Sequence, residues 1–389
     1  MMNKTWSIAC VALGIFTSSI AQGQTFKNKE NGNITFTVVK DHDKTAVDNQ
    51  YRSSTCWSFS SLSFFESEIL RQSKKEVNLA EMFVVNHAYR DKADKYVRMH
   101  GNGTFAAGGA FHDALYVMKN YGMVPQSAYA GKNVDPENHV HWEMDKVLKG
   151  IVEAVVANPN GVLSPVWKTA FNSAVDAYLG EIPTKFDVDG KSYDPKSYLT
   201  SLKVNPDDYV VITSFSHHPF YSSFVLEVPD NWAAQSCYNV PLNDFRDIMS
   251  NAIDKGYTFA WAADVSEKGF NWKNGVAIVP EKGWSGYGKG DIDSLTDHAL
   301  PQMVITQENR QEAFDNFETQ DDHGMHITGM VKDQNGTVYY KVKNSWGNKS
   351  NDCDGYLYAS ESYVLYKSTN IMLHKNAVPS GIAKKLGIK

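Results

Sequence analysis

Apolar residues recur at two spacings along this chain. Phe59, Leu62, Phe65 and Ile69 fall three and four residues apart, which predicts one face of a helix beginning near Cys56. Ser53, Ser54 and Thr55 precede it and are candidate caps. Helical patterning continues through residues 54–135, including Phe111 to Tyr121, with turns at Val124-Pro125 and Gly131. Two further helical stretches, Ile151 to Ala157 and Trp167 to Leu179, lie within residues 136–205 and are separated by Asn158-Pro-Asn-Gly161. The pattern then changes to runs typical of strands. Val210 to Thr213, Phe224 to Val228 and Thr258 to Ala263 are expected strands, and Leu242 to Lys255 is an expected helix. Asn335-Gly336 sits between β-forming segments and predicts a hairpin with strands over about 325–332 and 337–343. Residues 24–49 are expected to be extended. The fold class is therefore α+β: a helical half followed by a β-rich half, with a cleft expected between them.

Composition narrows what such a molecule does. The chain has 389 residues, 42% of them hydrophobic, enough for a large core. Its formal net charge is −6 and its Lys and Arg residues form no block, so nucleic acid is not an expected partner. Residues 1–23 read as a signal peptide: Lys4 supplies a positive start, Ile8 to Phe16 an apolar core, and Ala21-Gln22-Gly23 a small-x-small cleavage site. That run is too short to span a membrane. The expected location is exported, periplasmic or secreted, with no membrane association. Removing the signal leaves Cys56, Cys237 and Cys353. An odd count fits one free reactive thiol, with Cys237 and Cys353 able to pair in an oxidising compartment.

Cys56 is the candidate thiol. A position at a helix N-terminus, beside unsatisfied N–H groups and the positive end of the macrodipole, is expected to lower its pKa. Gln50, six residues earlier, is a candidate donor to an oxyanion. A thiol nucleophile needs a base, and the base needs an orienting group. Folding the hairpin together brings His323 and Asn344 to one open end, where the amide could hold the ring and Trp346 cover the bond. His326, three residues on, points to the opposite strand face. His87 lies in a helical stretch and is read as an ordinary helix residue. No metal site is expected, since His217-His218-Pro219 has no carboxylate or Cys at ligand spacing.

Gln50-x5-Cys56-Trp57, His323 with Gly329 six places on, and Lys343-Asn-Ser-Trp-Gly347 together resemble the papain-like cysteine peptidases. Within them the chain is most similar to the bleomycin hydrolase and aminopeptidase C branch. Ser53 stands where the wider family places a disulfide cysteine. Cys56 and His323 are 267 residues apart (323 − 56), about twice what a minimal papain-like domain needs. Glu308 to Asp322 is helical and charged, and the chain runs on past Gly347.

The resemblance implies a papain-like two-lobe domain over 24–374, a helical insertion at about 136–205 and a C-terminal arm at 375–389. It implies Cys56 as nucleophile, His323 as base and acid, Asn344 as its orienter and Gln50 as oxyanion donor. Gly108-Gly109 resembles the pair whose backbone bonds an extended substrate. It further implies that the arm enters the cleft, where the Lys389 carboxylate meets the amino group of a peptide substrate. No cofactor and no metal are implied, and the assembly would be a homohexamer. The function expected is thus an exported cysteine aminopeptidase. The alternatives are an exported endopeptidase and a non-catalytic peptide-binding module on the same fold.

Overall fold

In a computed structural model of the protein, residues 23–389 are described; the expected signal peptide therefore lies almost wholly outside the described residues. Strands β1 (Thr25–Lys27) and β2 (Thr35–Asp41) form a hairpin. The helical lobe follows: α1 (Cys56–Ser73), α2 (Glu81–Arg98), α3 (Phe111–Tyr121), α4 (Trp142–Val156) and α5 (Val166–Leu179). A small hairpin, β3 (Phe186–Val188) with β4 (Lys191–Tyr193), leads to α6 (Pro195–Leu202), which Asp194 caps through the backbone N–H groups of Lys196 and Ser197.

The β-rich lobe comprises β5 (Tyr209–Thr213), β6 (Ser222–Val225), β7 (Ser236–Asn239), α7 (Leu242–Asp254), β8 (Phe259–Ala263), β9 (Phe270–Asn271) and β10 (Val276–Ala277). It continues with α8 (Lys289–Leu295), α9 (Gln307–Asp315), β11 (His323–Lys332), β12 (Val338–Lys343), β13 (Tyr356–Ser360), α10 (Glu361–Lys367), β14 (Ser368–His374) and α11 (Ser380–Leu386).

Twelve strands form one sheet in the order β6-β7-β5-β14-β8-β11-β12-β13-β10-β9, and β2 adds to β11. Strand alternation assigns each face of its centre to a different core. Ala260, Ala262 and Met372 join the helical lobe, whereas Phe259, Trp261, Ala263, Ile371 and Leu373 join α7. The hairpin register pairs His326 with Lys343 and places Gly336 in the turn at φ +86°.

Helix α1 occupies the interface between the lobes and is buried all round from Trp57 to Ile69. The apolar stripe in the sequence marks only one of its faces. Its serines make the other faces tolerable by bonding locally. Ser60 and Ser61 donate to the Cys56 and Trp57 carbonyls at 2.7 Å, and Ser58 to the Glu81 carbonyl at 2.9 Å. Helix α4 begins nine residues before the stretch read from the sequence, burying Met144, Leu148 and Val152 at every fourth position.

The C-terminal segment takes a course other than the one the resemblance implies. Ala377, Val378, Ile382 and Leu386 pack into the core on the α7 face of the sheet, and the Asn251 amide donates to the Ala377 carbonyl. Among the described residues, no helix is long and apolar enough to cross a membrane.

Candidate active site

Cys56 opens α1, and its thiol lines a cavity with Trp57, Gly109, Asp230, Cys237, Asp321 and His323. Two features bring α1 onto the start of β11. Gly324 has no side chain: a Cβ there would lie 2.7 Å from Ser60 Oγ and 3.4 Å from Trp57 Cα. Beyond it, the His326 ring meets Ser63 Oγ of α1 at 2.9 Å, in a buried contact outside the Cys56 cavity. His323 is therefore the histidine brought to the thiol.

The imidazole of His323 is buried, and its Nε2 lies 2.8 Å from Asn344 Oδ1. That same oxygen accepts from the Ser345 backbone N–H, which fixes the amide's orientation. Nε2 must then be the donor, and Nδ1 is left with its lone pair to take a proton. The Trp346 ring covers the pair at 4.9 Å between centroids. Burial lowers the His323 pKa, partly opposed by the Asn344 bond. Replacing Asn344 by Ala releases the ring and is expected to reduce kcat about 10- to 100-fold, read by initial rates, with a smaller change in KM. An unchanged kcat would remove the orienting role.

Gln50 is placed by the same element. An isolated bridge pairs Asn49 with Trp346, and the Gln50 backbone N–H donates to the Ser345 carbonyl at 2.8 Å. Its Oε1 accepts from Ser345 Oγ at 2.6 Å, leaving the amide NH2 as the free end. Gln50 stands beside the cavity rather than among the residues lining it. Gly109 lines it directly, and a Cβ there would lie 2.6 Å from an Asp113 oxygen and 2.8 Å from the Trp57 ring.

Several expectations are corrected. Thr55, at the N-cap, makes no side-chain cap bond; its hydroxyl pairs with Ser53 Oγ at 2.7 Å. The first N–H groups of α1 are thus not taken up by a cap. Nor does the helix terminus make the thiol acidic. Burial pushes its pKa up to about 12, hydrogen bonding from the Gly324 backbone opposes this, and Asp230 and Asp321 add to the rise. Desolvation outweighs the helix terminus. Cys237 and Cys353 are both free: Cys237 is buried at the Cys56 cavity, and Cys353 Sγ meets the Asn28 carbonyl at 2.8 Å. Lys389 lies exposed beyond α11, and none of residues 375–389 lines the cavity.

The His217-His218 pair does find a carboxylate, ten residues on. Glu227 lies 3.1 Å from His217 Nε2 and 2.7 Å from His218 Nε2. Donor chemistry decides against a metal there. Gln311 Oε1 accepts from the Ser216 backbone N–H, so its NH2 faces His217 Nδ1 at 3.0 Å. That leaves the proton on His217 Nε2, the nitrogen a metal would need.

Asp230 and Asp321 were not singled out in the sequence. Asp321 is within two residues of His323, a signal that adjacency could have supplied; nothing in the sequence points to Asp230.

A helical lobe offering a thiol at a helix start, and a β-rich lobe offering an imidazole held by an amide, define a papain-like cysteine peptidase. The comparisons agree. The Peptidase C1-like family matches residues 184–388, and the chain belongs to it. It is 23% identical over 412 residues to Aminopeptidase G of Lactobacillus delbrueckii subsp. lactis, covering 96% of this chain and 89% of that protein. It is 22% identical over 371 residues to Aminopeptidase C of Listeria monocytogenes, covering 85% and 80%. The crystal structure of PepW from Lactobacillus rhamnosis superposes with a TM-score of 0.70 at 19% identity, covering 90% of this chain and 84% of that one, and shows the same fold.

Proposed function

We propose that the protein is an exported cysteine aminopeptidase that removes N-terminal residues from peptides and assembles as a homohexamer. The observation that carries the catalytic part is the His323–Asn344 bond through Nε2, with Nδ1 left free in the cavity that Cys56 lines. The aminopeptidase names of the relatives support the substrate class.

In this reading the Cys56 proton passes to His323 Nδ1 as sulfur attacks the carbonyl carbon. The Cys56 backbone N–H and the free amide end of Gln50 meet the oxyanion. His323 returns the proton to the leaving amine, giving a thioester and a peptide shortened by its N-terminal residue. Water, deprotonated by His323, then releases the acyl group and restores the thiol. Asn344 keeps the ring in the tautomer this shuttle requires.

An endopeptidase is the second reading, and the position of the C-terminal segment away from the cavity favours it. A peptide and its N-acetylated twin separate the two. The expected result is hydrolysis of the free amine with at least about 100-fold lower kcat/KM for the acetylated form, a difference of ~2.7 kcal/mol. Equal cleavage of both would overturn the aminopeptidase assignment.

A further inference from the structure

The cavity around Cys56 is lined by two carboxylates, Asp230 and Asp321, that form no ion pair among the described residues; Asp321 accepts from the Asp230 backbone N–H. It is small, about 30 Å³, room for roughly one water molecule. Leu226, Val228, Asp230, Asp321 and Asp322 are among the residues that line it. Asp230 also closes one end of the groove: a Cβ built on Gly108 would fall 2.1 Å from its carboxylate oxygen. The carboxylate therefore lies directly over the first of the two glycines.

Neither Asp230 nor Asp321 has an ion-pair partner within 4.0 Å among the described residues. The nearby buried Lys92 is committed elsewhere, donating to the Ala106 and Gly108 carbonyls. Asp113 is satisfied by the Ala110 N–H and the Trp232 indole. Burial raises the pKa of Asp321 to about 7, with Asp230 and Asp322 adding to the rise and the Asp230 backbone N–H opposing it; burial raises that of Asp230 as well, opposed by Lys92. Two half-buried carboxylates beside a nucleophile, each lacking a cationic partner, carry an unneutralised negative charge. A cation entering between them would neutralise that charge, and an ammonium offers three donors for the purpose.

Building on the aminopeptidase reading, we propose that Asp230 and Asp321 together bind the substrate's α-ammonium group, so that the second residue of the groove is closed off and the first peptide carbonyl is delivered to Cys56. The chain's own walls then perform the selection that the resemblance gives to the terminal carboxylate. The same contact acts on chemistry. Both carboxylates oppose ionisation of the Cys56 thiol, so an ammonium that neutralises them also favours the thiolate.

The test uses an alanyl anilide, its N-acetyl derivative and an N-acetyl-lysyl anilide, with wild-type protein and the variants Asp230→Asn, Asp321→Asn and the double substitution. Each single variant is expected to raise KM for the alanyl substrate about tenfold or more with a smaller change in kcat. In the double variant the preference for a free amine should collapse to a few-fold. If wild type prefers the free amine and the double variant keeps that preference at unchanged KM, the amine is bound elsewhere and the inference is wrong while the aminopeptidase reading stands. If wild type cleaves both alanyl substrates equally, that reading itself fails. Efficient cleavage of the acetyl-lysyl substrate, lost in the variants, would reassign the pair to a basic side chain. Should the variants fold poorly, protection of wild-type Cys56 from iodoacetamide decides. Alaninamide is expected to protect and N-acetylalaninamide is not; equal protection by both would overturn the inference.

Discussion

Replacing Cys56 by alanine is expected to lower kcat by about 10⁵-fold or more while leaving the fold intact. The size of the loss follows from the role: without sulfur there is no thioester, and His323 has no proton to take. The intact fold follows from the geometry. Burial pushes the thiol's pKa up to about 12, which favours its neutral form, so its removal is expected to strand no counter-charge. Its surroundings, from the Gly324 backbone to the Trp57 bond with the Ala107 carbonyl, remain in place. The check is a pair of measurements on the purified variant, turnover of a free-amine peptide and the thermal midpoint. Retained turnover would dismiss Cys56 as nucleophile; a collapsed midpoint would mean that the loss says nothing about chemistry.

Arg310 is expected to have the largest effect on stability. It is wholly buried and donates to three backbone carbonyls, Ser214 at 2.8 Å, Leu365 at 2.6 Å and Ser368 at 2.7 Å. It lies 4.5 Å from the Phe215 ring and, among the described residues, has no carboxylate partner. Burial lowers its pKa to about 9. Two effects compete in Arg310→Met. Relieving a desolvated cation favours the variant. Stranding the Leu365 and Ser368 carbonyls, and leaving Ser214 only the Gln307 amide at 3.4 Å, opposes it at about 1–3 kcal/mol for each lost bond. The second wins on number, and a net destabilisation of about 3 kcal/mol is expected in urea denaturation. Arg310→Lys should recover only part of it, since an ammonium lacks the guanidinium's planar fork. A Met variant as stable as wild type would show that the carbonyls find other donors.

The parts legible in the sequence were those governed by local pattern. The Asn335-Gly336 turn, the Phe59-to-Ile69 stripe and the Cys56-Trp57 and Lys343-to-Gly347 motifs each depend on neighbours in sequence. Together they were enough to bring His323 and Asn344 to one end of a hairpin. What depends on distant segments was not legible. The β1–β2 hairpin and its addition to β11 need a partner 290 or so residues away, and nothing in residues 24–49 encodes more than an extended chain. The thiol's pKa could not be read from a helix terminus alone, because desolvation, set by everything packed around it, has the larger effect. Glu227 meets the two histidines only because the chain turns back through β6, which pairs with β7, and Asp230 reaches the Cys56 cavity through the loop that follows.

The spacing of Cys56 and His323 also governs timing. The strand carrying His323 is flanked by β8, β12 and β2, so it cannot take its place until segments from both ends of the chain are present. Pairing of such remote segments is a late and slow event. A ribosome must therefore finish nearly the whole polypeptide before thiol and imidazole can meet, and a nascent or unfolded molecule is inert. The order in which the parts are made thus delays assembly of the candidate site until synthesis is nearly complete.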